Sequence, residues 1–287
     1  MANNTMSSYS KKCVIIVGSG RSGTSWLAEN LAKTFRYRLL FEPDHEYQIP
    51  RGAVLTDRLL NVSQPVAEVD AYLGKLFKNR IDSDWIAQNS NRKYKMHLWP
   101  FLAKKYIIKF VRASLGGRYM NERYGIPVVH IIRNPYDVIF SQQRVKFPWL
   151  YDLTRFRNQE QLVQLIKDSY NFDITNDLNS EVEVLALRWV IENNLVLNDL
   201  KGYTDNSMLV KYEDLNGNLE KYLEICHRFN LEYPKDVAKR FKEPSSKTHP
   251  NSHVNKGSKS KGKLSTEDSA AVSRILEQFR TESYPIV

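Results

Sequence analysis

Between Cys13 and Leu31 the chain reads CVIIVGSGRSGTSWLAENL, and its glycines carry two overlapping spacings. Gly18, Gly20 and Gly23 spell G-x-G-x-x-G, while Gly18 to Ser25 has the G-x-x-x-x-G-x-[ST] spacing of a P-loop with Thr24 in the lysine slot. Both arrangements turn backbone N–H groups and a helix N-terminus toward a phosphate. A dinucleotide site would use Glu42 as its ribose acid, but Arg21 sits awkwardly between the second and third glycines, where helix, strand and pyrophosphate pack closely. A kinase or ATPase loop would need the lysine that Thr24 replaces, and no clear magnesium-holding acid follows a strand. The loop therefore suits an anion held by arginine and backbone, without a metal. A second anion signal lies in VVHIIRNPYDVIFSQQ. There Arg133 ends an apolar run, Asn134 can cap a helix, Pro135 fits its first turn, and Ser141 follows eight residues after Arg133. A guanidinium and a hydroxyl from two elements can close on one phosphate.

These residues need a scaffold, and the periodicity supplies one. Apolar, β-branched runs at 13–17, 37–41, 106–111, 127–132 and 207–211 read as buried parallel strands. Helical patterns alternate with them at 24–35, 114–124, 135–146, 181–201, 216–229 and 266–281, the last capped by Ser265 or Thr266. Such alternation predicts an α/β three-layer sandwich, a mostly parallel central sheet with helices on both faces. Ligands in such sheets bind at the carboxyl ends of the strands, where Gly18 to Ser25 and Arg133 both fall. We expect one domain over 1–287, residues 1–12 without fixed structure, substrate-covering insertions at 51–104 and 145–180, and a basic loop at 244–264.

Composition narrows the function classes. The 287 residues are 42% hydrophobic, enough for a sizeable core, with no run of 18 apolar residues and no apolar segment near the N-terminus. The expectation is a soluble, cytoplasmic protein. Two cysteines make no disulfide framework, and no histidine pairs with cysteine at zinc spacing. The formal charge is +10, and the segment from Lys242 to Lys263 alone carries six lysines against one glutamate. Its Ser, Pro, Gly and Asn content reads as a loop, and the absence of interleaved aromatics disfavours a nucleic-acid surface.

At the level of whole motifs, GSGRSGTSW resembles the 5′-phosphosulfate loop of the sulfotransferases, P-loop relatives that use 3′-phosphoadenosine 5′-phosphosulfate (PAPS) and release 3′-phosphoadenosine 5′-phosphate (PAP). The resemblance implies a P-loop kinase-like fold and places Gly20, Arg21, Ser22, Gly23, Thr24 and Ser25 on the phosphosulfate, with Trp26 beside the adenine. VVHIIRNPYDVIFSQQ is similar to the family's 3′-phosphate site, which gives that role to Arg133 and Ser141. LVKYEDL at 209–215 resembles the family's strand-end motif, with Tyr212 near the nucleotide, and NKGSKSKGKL resembles its closing loop, with Lys256 and Gly257 over the 3′-phosphate. These motifs occur in the family's order across nearly the whole chain.

On the acceptor side, FEPDHEY places a glutamate before a proline, as in the carbohydrate and bacterial branches, which implies Glu42 as general base. Arginine rather than lysine at Arg21 points to the carbohydrate and tyrosyl-protein branches. The steroid and phenol enzymes use a histidine two residues beyond a strand lysine; here Lys109 is present but Val111 stands where the histidine would be. His45 is the alternative base. The resemblance implies transfer from PAPS to an acceptor hydroxyl on a carbohydrate or glycosylated small molecule, with Glu42, Lys109 and Arg21 catalytic, no metal, and no nucleic-acid partner. The rival readings are a polyanion or nucleic-acid binder using the basic surface, and an ATP-dependent P-loop kinase. The acceptor's identity and the oligomeric state are not assigned.

Overall fold

Five short strands, four of them buried along nearly their whole length and the edge strand β5 buried only at Val210, pair into one all-parallel sheet in the order β2-β3-β1-β4-β5. The computed structural model describes residues 9, 11–90, 92–176, 178, 180–198, 202–241, 243 and 263–287. In chain order the elements are β1 (Cys13–Val17), α1 (Thr24–Ala32), β2 (Tyr37–Phe41), α2 (Ala67–Phe77), β3 (Lys105–Lys109), α3 (Gly117–Tyr124), β4 (Val128–Ile132), α4 (Pro135–Val145), α5 (Glu160–Tyr170), α6 (Glu181–Trp189), β5 (Ser207–Lys211), α7 (Leu219–Arg228) and α8 (Thr266–Gln278). After Trp189 the helix continues through a π-helical stretch, Val190–Leu195, to Asn198.

Alternation along β1 explains the layers. Val14 and Ile16 face α1 and α7 through Leu27, Leu31, Tyr222 and Ile225, while Cys13, Ile15 and Val17 face the opposite cluster with α2 and α3. Because both faces are covered, the central strand β1 is apolar throughout rather than alternating with polar residues. The three-layer sandwich is therefore the one expected, and the sheet is wholly parallel among the described residues.

Local chemistry sets the boundaries. The strand expected to run to Val111 ends at Lys109: Phe110 N–H still donates to Ile16 O on β1, but those of Val111 and Arg112 leave the sheet and donate to the Asp44 carboxylate at 2.9 and 2.5 Å. The helix expected over 216–229 begins only at Leu219, after a separate short helix at Tyr212–Leu215, since Gly217 takes φ 79° and Asn218 caps α7 by accepting from Lys221 N–H. Ser265 is the cap of α8, accepting from Asp268 N–H at 3.0 Å. Cys13 and Cys226 are both free and buried. No helix among the described residues is long and apolar enough to cross a membrane.

A buried charge cluster ties the two insertions to this frame. Asp57 lies between Arg112 and Arg188, which donate to its two oxygens, and all three side chains are 2% exposed or less. Arg188 also pairs with Glu192 at 3.0 Å and donates to the carbonyls of Leu150 and Asp152, while Arg112 reaches Glu46 at 2.6 Å. The Asp57 carbonyl accepts from the Gln159 amide at 2.7 Å. Neutralising the shared carboxylate strands two buried guanidinium ions, which costs about 3–5 kcal/mol in comparable buried pairs. Asp57→Asn is expected to lower the unfolding free energy by that amount in urea titrations, with far-UV circular dichroism of the remaining folded fraction unchanged.

Candidate active site

The chain leaves β1 through a backbone shape that few residues tolerate. Gly18 has φ 151°, and a Cβ there would sit 2.3 Å from the Ile131 carbonyl oxygen, so β4 packs directly on the start of the loop. Gly23, the residue preceding α1, has φ 92°, and a Cβ there would meet the Tyr212 ring at 2.4 Å. Between them Arg21 takes φ 77°, a left-handed conformation costly for a side-chain-bearing residue. A turn closes beneath it, with Ser22 N–H donating to Ser19 O at 3.1 Å. The loop thereby delivers Gly20 to Ser25 to the N-terminus of α1, where the first-turn amides lack intrahelical acceptors. Ser22 is fully buried and its Oγ has no hydrogen-bond partner among the described residues.

The residues assigned to the phosphate converge here. Arg21 Nε donates to Ser141 Oγ on α4 at 3.1 Å, and Arg133 Nη1 donates to the Arg21 carbonyl at 3.2 Å. The Arg133 guanidinium lies 4.7 Å above the Tyr212 ring, which itself packs on Gly23. Asn134 caps α4 by accepting from Tyr136 and Asp137 N–H, which holds Arg133 at the strand end beside the helix N-terminus. Burial and the neighbouring Arg133 charge lower the pKa of the Arg21 guanidinium, and Arg133 Nε is buried without a partner among the described residues. Two like charges held together with idle donors make a receptor for an anion. Trp26, on α1, donates to the Glu243 carbonyl at 3.1 Å and meets Phe241 edge-on. Lys256 and Gly257 lie outside the described residues.

One strand pair away, β3 and β2 end in a second pair. Lys109 Nζ donates to Glu42 Oε1, and Glu42 N–H donates to the Lys109 carbonyl at 2.8 Å. Lys109 is 2% exposed and its ammonium also lies 5.0 Å from the centre of the Phe41 ring. Pro43 disfavours right-handed helical geometry for Glu42, which instead takes φ 43°. Because Ile16 is the register partner of Lys109, this pair stands beside the strand that feeds the glycine loop. The sheet register is what relates the two groups. Asp44 sits below, fully buried, its pKa raised to about 6 chiefly by burial, then by the Glu42 charge, against the opposing pull of the two amides. His45 is half-buried against Trp85, its pKa lowered by burial, with Nδ1 lacking a partner among the described residues.

Several supporting residues escaped the sequence reading. Gln142 donates to Gly20 O at 2.9 Å, and Asn193, in the π-helical stretch, donates to Ser19 Oγ at 2.6 Å. Asn193 Oδ1 in turn accepts from His130 Nε2, whose Nδ1 accepts from Tyr203 O–H. Glu213 accepts from Asn134 N–H and from Tyr284 O–H, joining the strand-end motif to α4. The available signals were a histidine inside the apolar run VVHII and three consecutive polar residues in VIENNL.

The chain matches no protein-family model and no curated protein. Among solved structures it is similar to a sulfotransferase from Mycobacterium avium, at 11% identity and a TM-score of 0.47, over 97% of this chain and 78% of that one. It is also similar to a mouse sulfotransferase complexed with PAP, at 12% identity and 0.45, over 98% and 92%. A third, from Alicyclobacillus acidocaldarius, shows 12% identity and 0.42 over 93% of each chain.

His130 offers a check on the hydrogen-bond chain behind the loop. Burial lowers its pKa to about 4 from an ordinary 6.5, so between those values the unfolded chain binds a proton that the folded protein does not. Stability from this group is therefore complete above pH 6.5 and falls as pH drops toward 4. His130→Gln should remove that dependence: between pH 7 and pH 5 its urea-unfolding free energy should fall by about 1–2 kcal/mol less than that of the parent protein.

Proposed function

We propose that this chain is a PAPS-dependent sulfotransferase, and the observation that carries the proposal is the meeting of Arg21, Arg133, Ser141 and Tyr212 around the glycine loop. The fit to a bisphosphorylated nucleotide rests on unmet donors: the Ser22 hydroxyl and Arg133 Nε are both buried without partners among the described residues. Loop amides from Gly20 to Ser25 would hold the 5′-phosphosulfate, and Arg133 with Ser141 the 3′-phosphate. Lys256 and Gly257 would close over the latter. PAPS supplies a sulfuryl group on a phosphate leaving group, so that transfer breaks the S–O bond to phosphate and forms one to the acceptor oxygen.

The chain's own part is proton transfer and charge. Glu42 Oε1 is held by Lys109, and its Oε2 is the oxygen presented to an acceptor O–H. Removing that proton as the new bond forms makes the hydroxyl oxygen nucleophilic, while Lys109 and Arg21 oppose the negative charge gathering at the leaving oxygen. Holding Glu42 and Arg21 in costly backbone conformations fixes both groups before the acceptor arrives. Arg21 and the Glu42–Pro43 pair are the support for a carbohydrate or glycosylated acceptor. A panel of sugars, glycopeptides, phenols and lipids incubated with radiolabelled PAPS tests that class: label on a sugar hydroxyl supports it, and label confined to phenols overturns it.

The nucleotide assignment predicts that PAP raises the melting temperature well above the effect of adenosine monophosphate. Arg133→Ala should weaken PAP binding at least about tenfold in calorimetry, because a charge-assisted phosphate contact contributes roughly 1.5–3 kcal/mol. Equal stabilisation by both nucleotides would remove the reading.

Glu42→Gln keeps size and removes basicity. Turnover should fall by about 10²–10⁴, with PAP affinity within a few-fold of the parent. Unchanged turnover, together with its loss in His45→Ala, would move the base to His45.

A further inference from the structure

A cavity of about 670 Å³ lies at the opposite end of the sheet, where β2 begins, between the C-terminal end of α1 and the segment 89–103. Its volume is in the range that takes a small organic molecule. Arg38, second residue of β2, lines it and is 8% exposed, yet its Nε and Nη2 have no hydrogen-bond partner among the described residues. His97 lines it too, at 5% exposure, with Nδ1 equally idle and Nε2 committed to Asp82 at 2.9 Å. Burial lowers the Arg38 pKa to about 10, against a weaker upward influence of the Tyr106 phenol, and no carboxylate pairs with Arg38 among the described residues. A buried guanidinium with idle donors is among the costlier features a fold can hold, and a ligand anion removes that cost.

The surroundings narrow the anion. Nε and Nη2 form one edge of the guanidinium, the fork that matches two oxygens of a carboxylate. The other cations at the mouth are already engaged: Lys33 pairs with Glu243 at 2.9 Å, and Arg36 donates to the carbonyls of Phe101 and Leu102. Glu29 and Glu243 also line the cavity, which disfavours a second negative charge on the ligand. With Lys33, Arg36 and Arg38 set against Glu29 and Glu243, the described lining residues carry one net positive charge, which calls for a monoanion. Beside Asn89 and Ser90 the wall has an apolar stretch, with Met96, Trp99, Leu102 and Ala103, and Phe35 and Phe101 stand largely exposed nearby in the sequence of the same segments.

We propose that this cavity is a second ligand site, separate from the glycine loop, which binds a small amphipathic carboxylate with its head on the Arg38 fork and its hydrocarbon body along Met96, Trp99 and Leu102. Decanoate titrated into the full chain at saturating PAP, followed by calorimetry and tryptophan fluorescence, tests it. Binding should weaken at least about tenfold in Arg38→Met and in Ala103→Phe, which fills the cavity without touching the fork. Decanol and inorganic phosphate should each bind more weakly than decanoate. Without ligand, Arg38→Met should melt no lower than the parent, since it loses no partner. The proposal is overturned if decanoate does not bind at millimolar concentration, if both variants retain parental affinity, if decanol or phosphate binds as well, or if PAP displaces decanoate. A lower melting temperature for ligand-free Arg38→Met also overturns it, because Arg38 would then have a partner of its own. Should Arg38→Met fail to fold, Ala103→Phe alone decides, and the readout does not depend on sulfuryl transfer.

Discussion

The Asp57 carboxylate is shared by two buried guanidinium ions, and the geometry of the carboxyl end of the sheet depends on that sharing. Arg112 follows the end of β3 and also donates its amide to Asp44; Arg188 comes from α6; Asp57 itself comes from the first insertion. Through Arg188 the second insertion is held by two of its carbonyls, and through Gln159 by the Asp57 carbonyl. Desolvating three charges is costly, and the cluster persists only because nearly every donor finds an acceptor. The indole of Trp149 completes it, lying 5.3 and 5.6 Å from the two guanidinium carbons while its far edge touches Gly20. The charge cluster and the phosphate loop are therefore one packing unit.

That unit makes the anion site stiff on one side. Ser19 and Gly20 are gripped from behind by Asn193 and Gln142, and Gly18 is pressed against β4. The side facing the ligand carries the unspent donors. Arg21 and Arg133 repel one another, and the one carboxylate paired with either among the described residues is Asp137, 3.6 Å from Arg133. Binding of a doubly phosphorylated nucleotide would relieve this repulsion at no reorganisation cost to the backbone.

Much of this was legible in the residues. The strands at 13–17, 37–41 and 207–211 have the bounds read from their apolar runs, and Asn134, Pro135 and Ser265 occupy the cap positions expected of them. The approach of Arg21, Arg133 and Ser141 was expected from strand ends and the eight-residue spacing of Arg133 and Ser141, and that of Tyr212 from the resemblance of LVKYEDL to a family motif. Asp44 and Asp57 were not legible, because nothing local marks them, and Asn193 was marked only by the polar run within VIENNL. A carboxylate two residues beyond Glu42 reads as a solvated loop residue until the fold places the Val111 and Arg112 amides against it. Strand ends failed for a related reason: Val111 has the side chain of a strand residue, but its amide had a better acceptor off the sheet.

The π-helical stretch from Val190 to Leu195 has a bearing on ancestry. Such a stretch is an α-helix that has absorbed one extra residue, so the helix before and after it keeps its original packing faces. Three successive polar side chains, Glu192, Asn193 and Asn194, are all buried there, toward Arg188, Ser19 and the Phe279 carbonyl respectively. A regular helix, stepping about 100° per residue, spreads three neighbours over too wide an arc to serve one hydrophobic core so economically. A lineage that gained this residue gained a second support for Ser19 without disturbing anything downstream. A lineage that lost it would close the turn, keep its hydrophobic pattern, and have to hold the loop from another direction.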